Sequence, residues 1–349
     1  MLARRPGGHR KGNLLGGNNT DTGVNNIQYT AQFGNGVSAS IGLDDPTVWN
    51  RTVVANLSLP LSATLGAANA YAGTHAPDVV GNIRIDQAWG LFQLSGALHE
   101  VNGSYNVLNT TTAPAGATGL AGAAPTALSE ISGHPDTKWG GAVMAALQIK
   151  NIPTGAGDDI KIDATWSKGD TKNVIATSGT SPSFAMFGGS NIAYQSVGFG
   201  LTSDAVYRPV GAGGDGSLHL TEAYGVRGAF NHNWDPYWSS SLFGSYSAVR
   251  YDGTAKNDIC ANYAVPAKNV GGVQQFTCNP DFNVSQLGLL TRWTPVKNLT
   301  FSAEVQWFHL DQKFSGVATL GPTAPKPATV YEFKDQDTFL LQLRAQRNF

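Results

Sequence analysis

The feature that most constrains this chain is an alternation of period two, recurring from Asn25 to the last residue with very little helical periodicity between. Successive side chains of a β-strand point to opposite faces, so this pattern specifies strands with one apolar and one polar side. Ile27, Tyr29, Ala31 and Phe33 alternate with polar residues, Gly34-Asn35-Gly36 turns the chain, and Val37, Ala39, Ile41 and Leu43 resume the pattern. Asn-Gly between alternating runs is a strong hairpin signal. A second hairpin joins Gly81, Ile83 and Ile85 to Phe92, Leu94, Gly96 and Leu98 through a turn near Trp89-Gly90. The third is the clearest: Trp139, Gly141, Val143, Ala145, Leu147 and Ile149, a turn over Pro153 to Gly157, then Ile160, Ile162, Ala164 and Trp166.

A fourth pair runs through Leu218, Leu220, Tyr224, Val226 and Phe230, turns at Trp234-Asp235-Pro236 and returns through Trp238, Leu242, Gly244 and Tyr246; Glu222 interrupts its apolar face. Leu287, Leu289 and Trp293 lead through Thr294 to Asn298 into Phe301, Ala303, Val305 and Trp307, and a last run carries Phe339, Leu341, Leu343, Ala345 and Phe349. About eleven strands result. Five short turns are interleaved with long polar connections, among them a Gly/Ser/Thr-rich loop from Lys168 to Gly216.

This asymmetry separates two all-β classes. In a soluble sandwich the apolar face is a core and loop lengths are not segregated, whereas outer-membrane barrels have short periplasmic turns, long extracellular loops, an apolar outer band and a polar lumen. The longest apolar run, Trp139 to Leu147, is nine residues, against roughly 20 for a membrane-crossing helix. Tyr29, Phe33, Trp139, Trp166, Trp238, Trp293, Phe301 and Trp307 fall mostly near strand ends on the apolar face, as interface girdles do. The expected fold class is an all-β antiparallel transmembrane β-barrel in residues 25–349, preceded by a basic and polar segment, 1–24. Single-chain bacterial barrels close with even strand numbers, and the first strand runs toward a short turn, so eleven implies an odd number of strands missing ahead of it. Met1 to Lys11 is basic but no apolar signal-peptide core follows, which fits an incomplete start.

With 23 Lys and Arg against 24 Asp and Glu there is no basic excess for nucleic acid. On the polar, inward faces stand Arg84, Asp86, Lys161, Asp163, Arg227, Arg292, Glu304 and Arg344, and pores select ions with such charges. Arg84, Arg227, Arg292 and Arg344 are the best placed, lying on otherwise clean strands. Cys260 and Cys278 sit in a polar loop and are expected to form a disulfide in an oxidising compartment. No enzyme signature, cofactor motif or metal set stands out: His99-Glu100 lacks a second ligand histidine, Gly211 to Gly216 lacks the Lys-Ser/Thr of a phosphate loop, and Asp44-Asp45 and Asp158-Asp159 read as solvated loop acids.

The segments NNIQYTAQFGNGVSASIGLDDP, DVVGNIRIDQAWGLFQLSGALHEV, TEAYGVRGAFNHNWDPYWSSSLFGSYSAVRYDG and the terminal TFLLQLRAQRNF resemble the rhizobial-type general porins of alphaproteobacteria. The resemblance covers roughly Asn25 to Phe349. It implies a sixteen-stranded, homotrimeric barrel in outer-membrane lipid, passing small hydrophilic solutes and ions, with Phe349 matching the terminal signal for the barrel-assembly machinery. It also implies that about five strands, the signal peptide and most of an inward third loop are absent, GGNNTDTGVNN being that loop's tail. The competing readings are a non-conducting surface protein that binds partners through its loops, and a non-functional porin fragment.

Overall fold

The alternating runs pair, each with the next in sequence, into one antiparallel sheet of eleven strands. In this computed structural model the described residues are 24–47, 52–58, 61–62, 65–106, 125–126, 135–175, 183–269 and 272–348. The strands are β1 (Asn26–Gly34), β2 (Val37–Asp44), β3 (Asp78–Asp86), β4 (Gly90–Val101), β5 (Lys138–Lys150), β6 (Asp159–Lys168), β7 (Glu222–Asn233), β8 (Trp238–Arg250), β9 (Phe282–Val296), β10 (Leu299–Gln312) and β11 (Gln336–Arg347). Because every pairing is antiparallel, β1 and β11 run in the same direction, and among the described residues each has a partner on one side only.

The two faces of this wall differ as a membrane requires. Ile83, Leu94, Leu98, Val143, Ile162, Leu242, Leu287, Leu289 and Val305 all point outward and are exposed, while Gln93, Ser95, Asp163, Thr165, Ser241, Gln286, Glu304 and Gln306 on the opposite face are buried. That is the inverse of a soluble protein, where exposed side chains are mostly polar. Trp238, Trp293 and Phe301 occupy directly registered positions on β8, β9 and β10 at the short-turn end, and their rings stack at 5.8 and 5.6 Å. Trp139 and Trp166 stand exposed toward the opposite end. The lumen side of β5 departs from the polar pattern: Ala142, Met144 and Ala146 are buried there.

The apolar core lies among the long connections. Residues 54–56 and 68–69, 205–207 and 218–220 form a four-stranded sheet, and residues 183–188, 195–201, 274–277, 315–320 and 329–333 a five-stranded one, each containing one parallel pairing between distant loops. Phe199 is the hub, its ring 4.9 Å from Phe314, 5.6 Å from Phe333 and 5.8 Å from Tyr263. The same core includes Ala223, Val249, Val284, Phe308 and Leu310, which are lumen-facing positions at the loop-side ends of β7 to β10. The loops therefore fold into the mouth of the wall and pack on its inner surface, which explains why those positions are apolar.

Two sequence expectations are corrected here. Leu218 and Leu220 do not continue β7: Leu218 pairs with Tyr207 and is fully buried in the loop core, and the chain breaks at Thr221 before Glu222 opens β7. The cysteine-bearing stretch is not a plain loop but carries a 17-residue helix, α1 (Gly253–Asn269). Asp252 caps it, its Oδ1 accepting the Ala255 N–H at 2.8 Å, and Ala255, Ile259 and Tyr263, spaced four apart, bury one narrow face. Cys260 on α1 is joined to Cys278, with Cα atoms 5.7 Å apart, as expected from sequence.

Candidate functional site: the lumen wall

Alternation along β3, β6, β7, β9, β10 and β11 carries the charged positions onto one face. Arg84 donates to Asp86 at 2.7 Å, and the same carboxylate receives Lys150 Nζ at 2.7 Å from β5, closing a triplet near the short-turn end. Lys161 lies 3.0 Å from Asp159, and Arg227 Nε lies 3.2 Å from Asp163 Oδ1 across a directly registered pair. Arg292 donates to Ser241 Oγ at 3.0 Å, and Glu304 accepts from Gln306 on its own strand. Arg344 stands opposite Ser302 on the exposed end of β11. Phe349, the terminal residue, is outside the described residues.

Sequence reading missed two members. Lys150 ends β5 at an inward position, opposite Asp159, and its amine reaches Asp86 two strands away; Asp159 was grouped with solvated loop acids but is the first residue of β6. It accepts hydrogen bonds from Gln148 at 2.5 Å and Asn231 at 2.6 Å. Asp44 and Asp158 are likewise buried, against that expectation. Asp158 is held in the β5–β6 turn by Thr154 Oγ1 (2.6 Å), His232 Nδ1 (2.6 Å) and the Asn233 N–H (2.8 Å). Burial pushes its carboxyl up, but these three donors outweigh burial and hold its pKa at about 2. Only Asp45 behaves as a surface turn acid, accepting the Thr47 N–H at 2.9 Å.

Thr165, Gln286 and Arg292 each keep a buried polar atom without a protein hydrogen-bond partner on this face. Such open capacity in low-polarity surroundings is costly unless water or a polar solute meets it. Among the described residues no group of three or more His, Cys, Asp or Glu side chains is arranged to hold a metal ion.

The sequence profile of the porin subfamily matches residues 8–341. The chain belongs to the porin subfamily. Comparison with curated proteins gives no match. Among solved structures, the outer membrane channel DcaP of Acinetobacter baumannii is similar at a TM-score of 0.45 and 14% identity, over 92% of this chain and 62% of that one. This porin chain thus spans less than two thirds of that channel's length. The wall of this porin has two faces: apolar side chains outward, ion pairs and hydrogen-bonding groups inward.

Proposed function

We propose that this chain forms the greater part of an outer-membrane porin that lets small hydrophilic solutes and ions diffuse passively through its lumen. The observation that carries the reading is the inversion of the wall, with exposed aliphatic side chains on one face and buried charged pairs on the other, in a chain of the porin subfamily. A bilayer leaves no open sheet edge unsatisfied, so β1 and β11 have to be joined. Since they run in the same direction, an all-antiparallel closure takes an odd number of further strands, and five would complete the sixteen of the rhizobial-type barrels that the sequence resembles. Homotrimer formation, residence in outer-membrane lipid and recognition of Phe349 by the barrel-assembly machinery complete the proposal by that resemblance.

The lumen-face charges set the ion preference. The inward positions of the wall strands carry Arg84, Lys138, Lys150, Lys161, Arg227, Arg292 and Arg344 against Asp44, Asp78, Asp86, Asp159, Asp163 and Glu304, seven cations against six anions. Most are paired, within a strand as Arg84–Asp86 and Lys161–Asp159 or between strands as Lys150–Asp86 and Arg227–Asp163, so the lumen presents a weak field with a slight bias toward anions. Planar-bilayer recording tests this with the chain alone and with a version extended by five strands. Discrete ohmic steps with mild anion preference are expected from at least the extended form. Absence of steps from both would overturn the channel reading.

A further inference from the structure

Several segments meet in a fully buried polar junction at the loop-side end of the wall. His99 on the lumen face of β4 has no exposed surface, and its Nδ1 is 2.7 Å from Oδ1 of Asp78, the first residue of β3. Its Nε2 is 2.8 Å from the hydroxyl of Tyr71, which in turn donates to Asp204 Oδ2 at 3.0 Å. Asp204, itself fully buried, also accepts the Thr52 N–H at 2.8 Å, the Thr171 N–H at 2.8 Å and the Thr171 hydroxyl at 2.9 Å.

The Tyr71 hydroxyl donates its single proton to Asp204 Oδ2. The Tyr71 oxygen can then only accept from His99, which places a proton on Nε2. The short Nδ1 to Asp78 contact needs a second proton between the two groups. The imidazole and Asp78 together therefore hold one proton more than a neutral ring beside a carboxylate. The other charged groups around the junction are Asp170 and Lys172 from the segment after β6, and Asp44, opposite Asp78 in register on β2. Burial holds the Asp170 carboxyl well above the ordinary range and draws Lys172 down, the latter opposed by Asp204.

The junction holds residues 169–175, which are folded into the mouth. Thr171 is fastened by both its N–H and its hydroxyl to Asp204. Three residues on, Val174 lies on the lumen face of β7: a Cβ added to Gly225 would stand 3.2 Å from its Cγ1. Val174 and Ile175 join the buried loop core, and lumen-facing Ser167 of β6, beside the same segment, is fully buried.

We propose that the Asp78–His99–Tyr71–Asp204 relay is a proton-dependent latch that seats residues 169–175 in the channel mouth, so that loss of the proton shared by His99 and Asp78 unseats the segment and widens the mouth. Without that proton the Nδ1 lone pair faces a carboxylate in a buried site, and the bond through Tyr71 to Asp204 loses its polarised donor. The consequence for conduction rests on the porin reading; the seating of the segment does not.

A thiol probe tests the latch on the full chain. In Ser167→Cys, with the native disulfide intact and inert to maleimide, the modification rate of the folded protein is taken relative to the denatured protein at each pH. Protection is expected near neutral pH, with about a tenfold rise in relative rate on raising the pH until the proton shared by His99 and Asp78 is lost. Adding His99→Gln should give fast, pH-independent modification. If that variant does not fold, Tyr71→Phe, which removes one hydroxyl, should raise the neutral-pH rate instead. Identical pH profiles with and without these changes would overturn the latch, as would a Cys at position 167 that reacts freely at neutral pH. In bilayers the single-channel step should grow over the same pH range only where the latch is intact. No conduction in any variant, with the labelling switch preserved, would refute the channel reading and leave the latch standing.

Discussion

Asp163 and Arg227 stand directly opposite each other on β6 and β7, with Nε 3.2 Å from Oδ1. Each therefore cancels most of the other's field in the lumen, and neither acts as an isolated selectivity charge. Asp163→Asn should uncover the guanidinium and move the reversal potential in a salt gradient toward anions. Arg227→Glu should move it further toward cations, because it leaves two adjoining acids. The double exchange Asp163→Arg with Arg227→Asp should restore the parent value. At an effective dielectric near that of a protein surface, one unpaired charge about 4 Å from a permeating ion is worth up to about 4 kcal/mol, and in bulk water about 1 kcal/mol. The shift should therefore be visible and should shrink at high salt. An unmoved potential in Asp163→Asn would remove the pair from any role in selection.

How much of this was legible in advance follows from what the alternation encodes. A period of two identifies strands and their two faces, so all eleven wall strands and the inward positions of Arg84, Lys161, Asp163, Arg227, Arg292 and Glu304 could be read from sequence. It carries no information on cross-strand register, and register is what pairs Asp163 with Arg227 and brings Lys150 to Asp86. The loop core was invisible for another reason. Phe199, Tyr263, Phe314 and Phe333 come from three different connections and meet only through long-range pairing. Helix α1 buries few residues on a narrow face and contains Pro266, so its pattern is too sparse to stand out among polar neighbours. His99 read as the end of a strand because its partners, Tyr71 and Asp204, lie 28 and 105 residues away.

Gly288 on β9 lies opposite Phe243 on β8, and the phenyl ring occupies the space in which a residue-288 side chain would begin. The glycine is required by this close approach. Gly288→Ala should displace the ring and destabilise the folded protein by about 1–3 kcal/mol, the usual cost of overpacking. Adding Phe243→Ala should recover part of that loss, since the two positions are in contact and their effects are not additive. Unfolding midpoints of the two single variants and the double variant check this; strictly additive losses would show that the ring is not the obstacle.

The disulfide closes a segment of sequence separation 18 that includes most of α1. Asn262 ties the same helix to another loop, its Oδ1 accepting the Leu61 N–H at 2.7 Å and its Nδ2 donating to the Leu57 carbonyl at 2.8 Å. In the chain-entropy picture a bridge of this span contributes about 3 kcal/mol. Replacing Cys260 and Cys278 by Ser should therefore loosen the loop core and speed proteolysis between α1 and β9. The wall strands, whose ladders do not involve this loop, should keep their resistance. Equal protection of the loop in both forms would mean that packing around Tyr263 suffices alone.

Asp158 gives the molecule an acid-sensitive fastening at the short-turn end. Its carboxylate ties the β5–β6 turn to His232 and Asn233 at the end of β7, with His232 in turn edge-on to Trp234 at 4.2 Å. The folded pKa, held at about 2, lies below the ordinary value of about 3.9. A depressed folded pKa means that the unfolded chain binds the proton first, so the contribution is complete above about pH 4 and is lost as pH falls toward about 2. Asp158→Asn should be less stable than the parent at neutral pH, and the gap should close on acidification through that window. Thermal midpoints measured at stepped pH for both proteins decide it. A gap that stays constant from neutral pH down to about 2 would show that the turn is held by shape and not by the carboxylate charge.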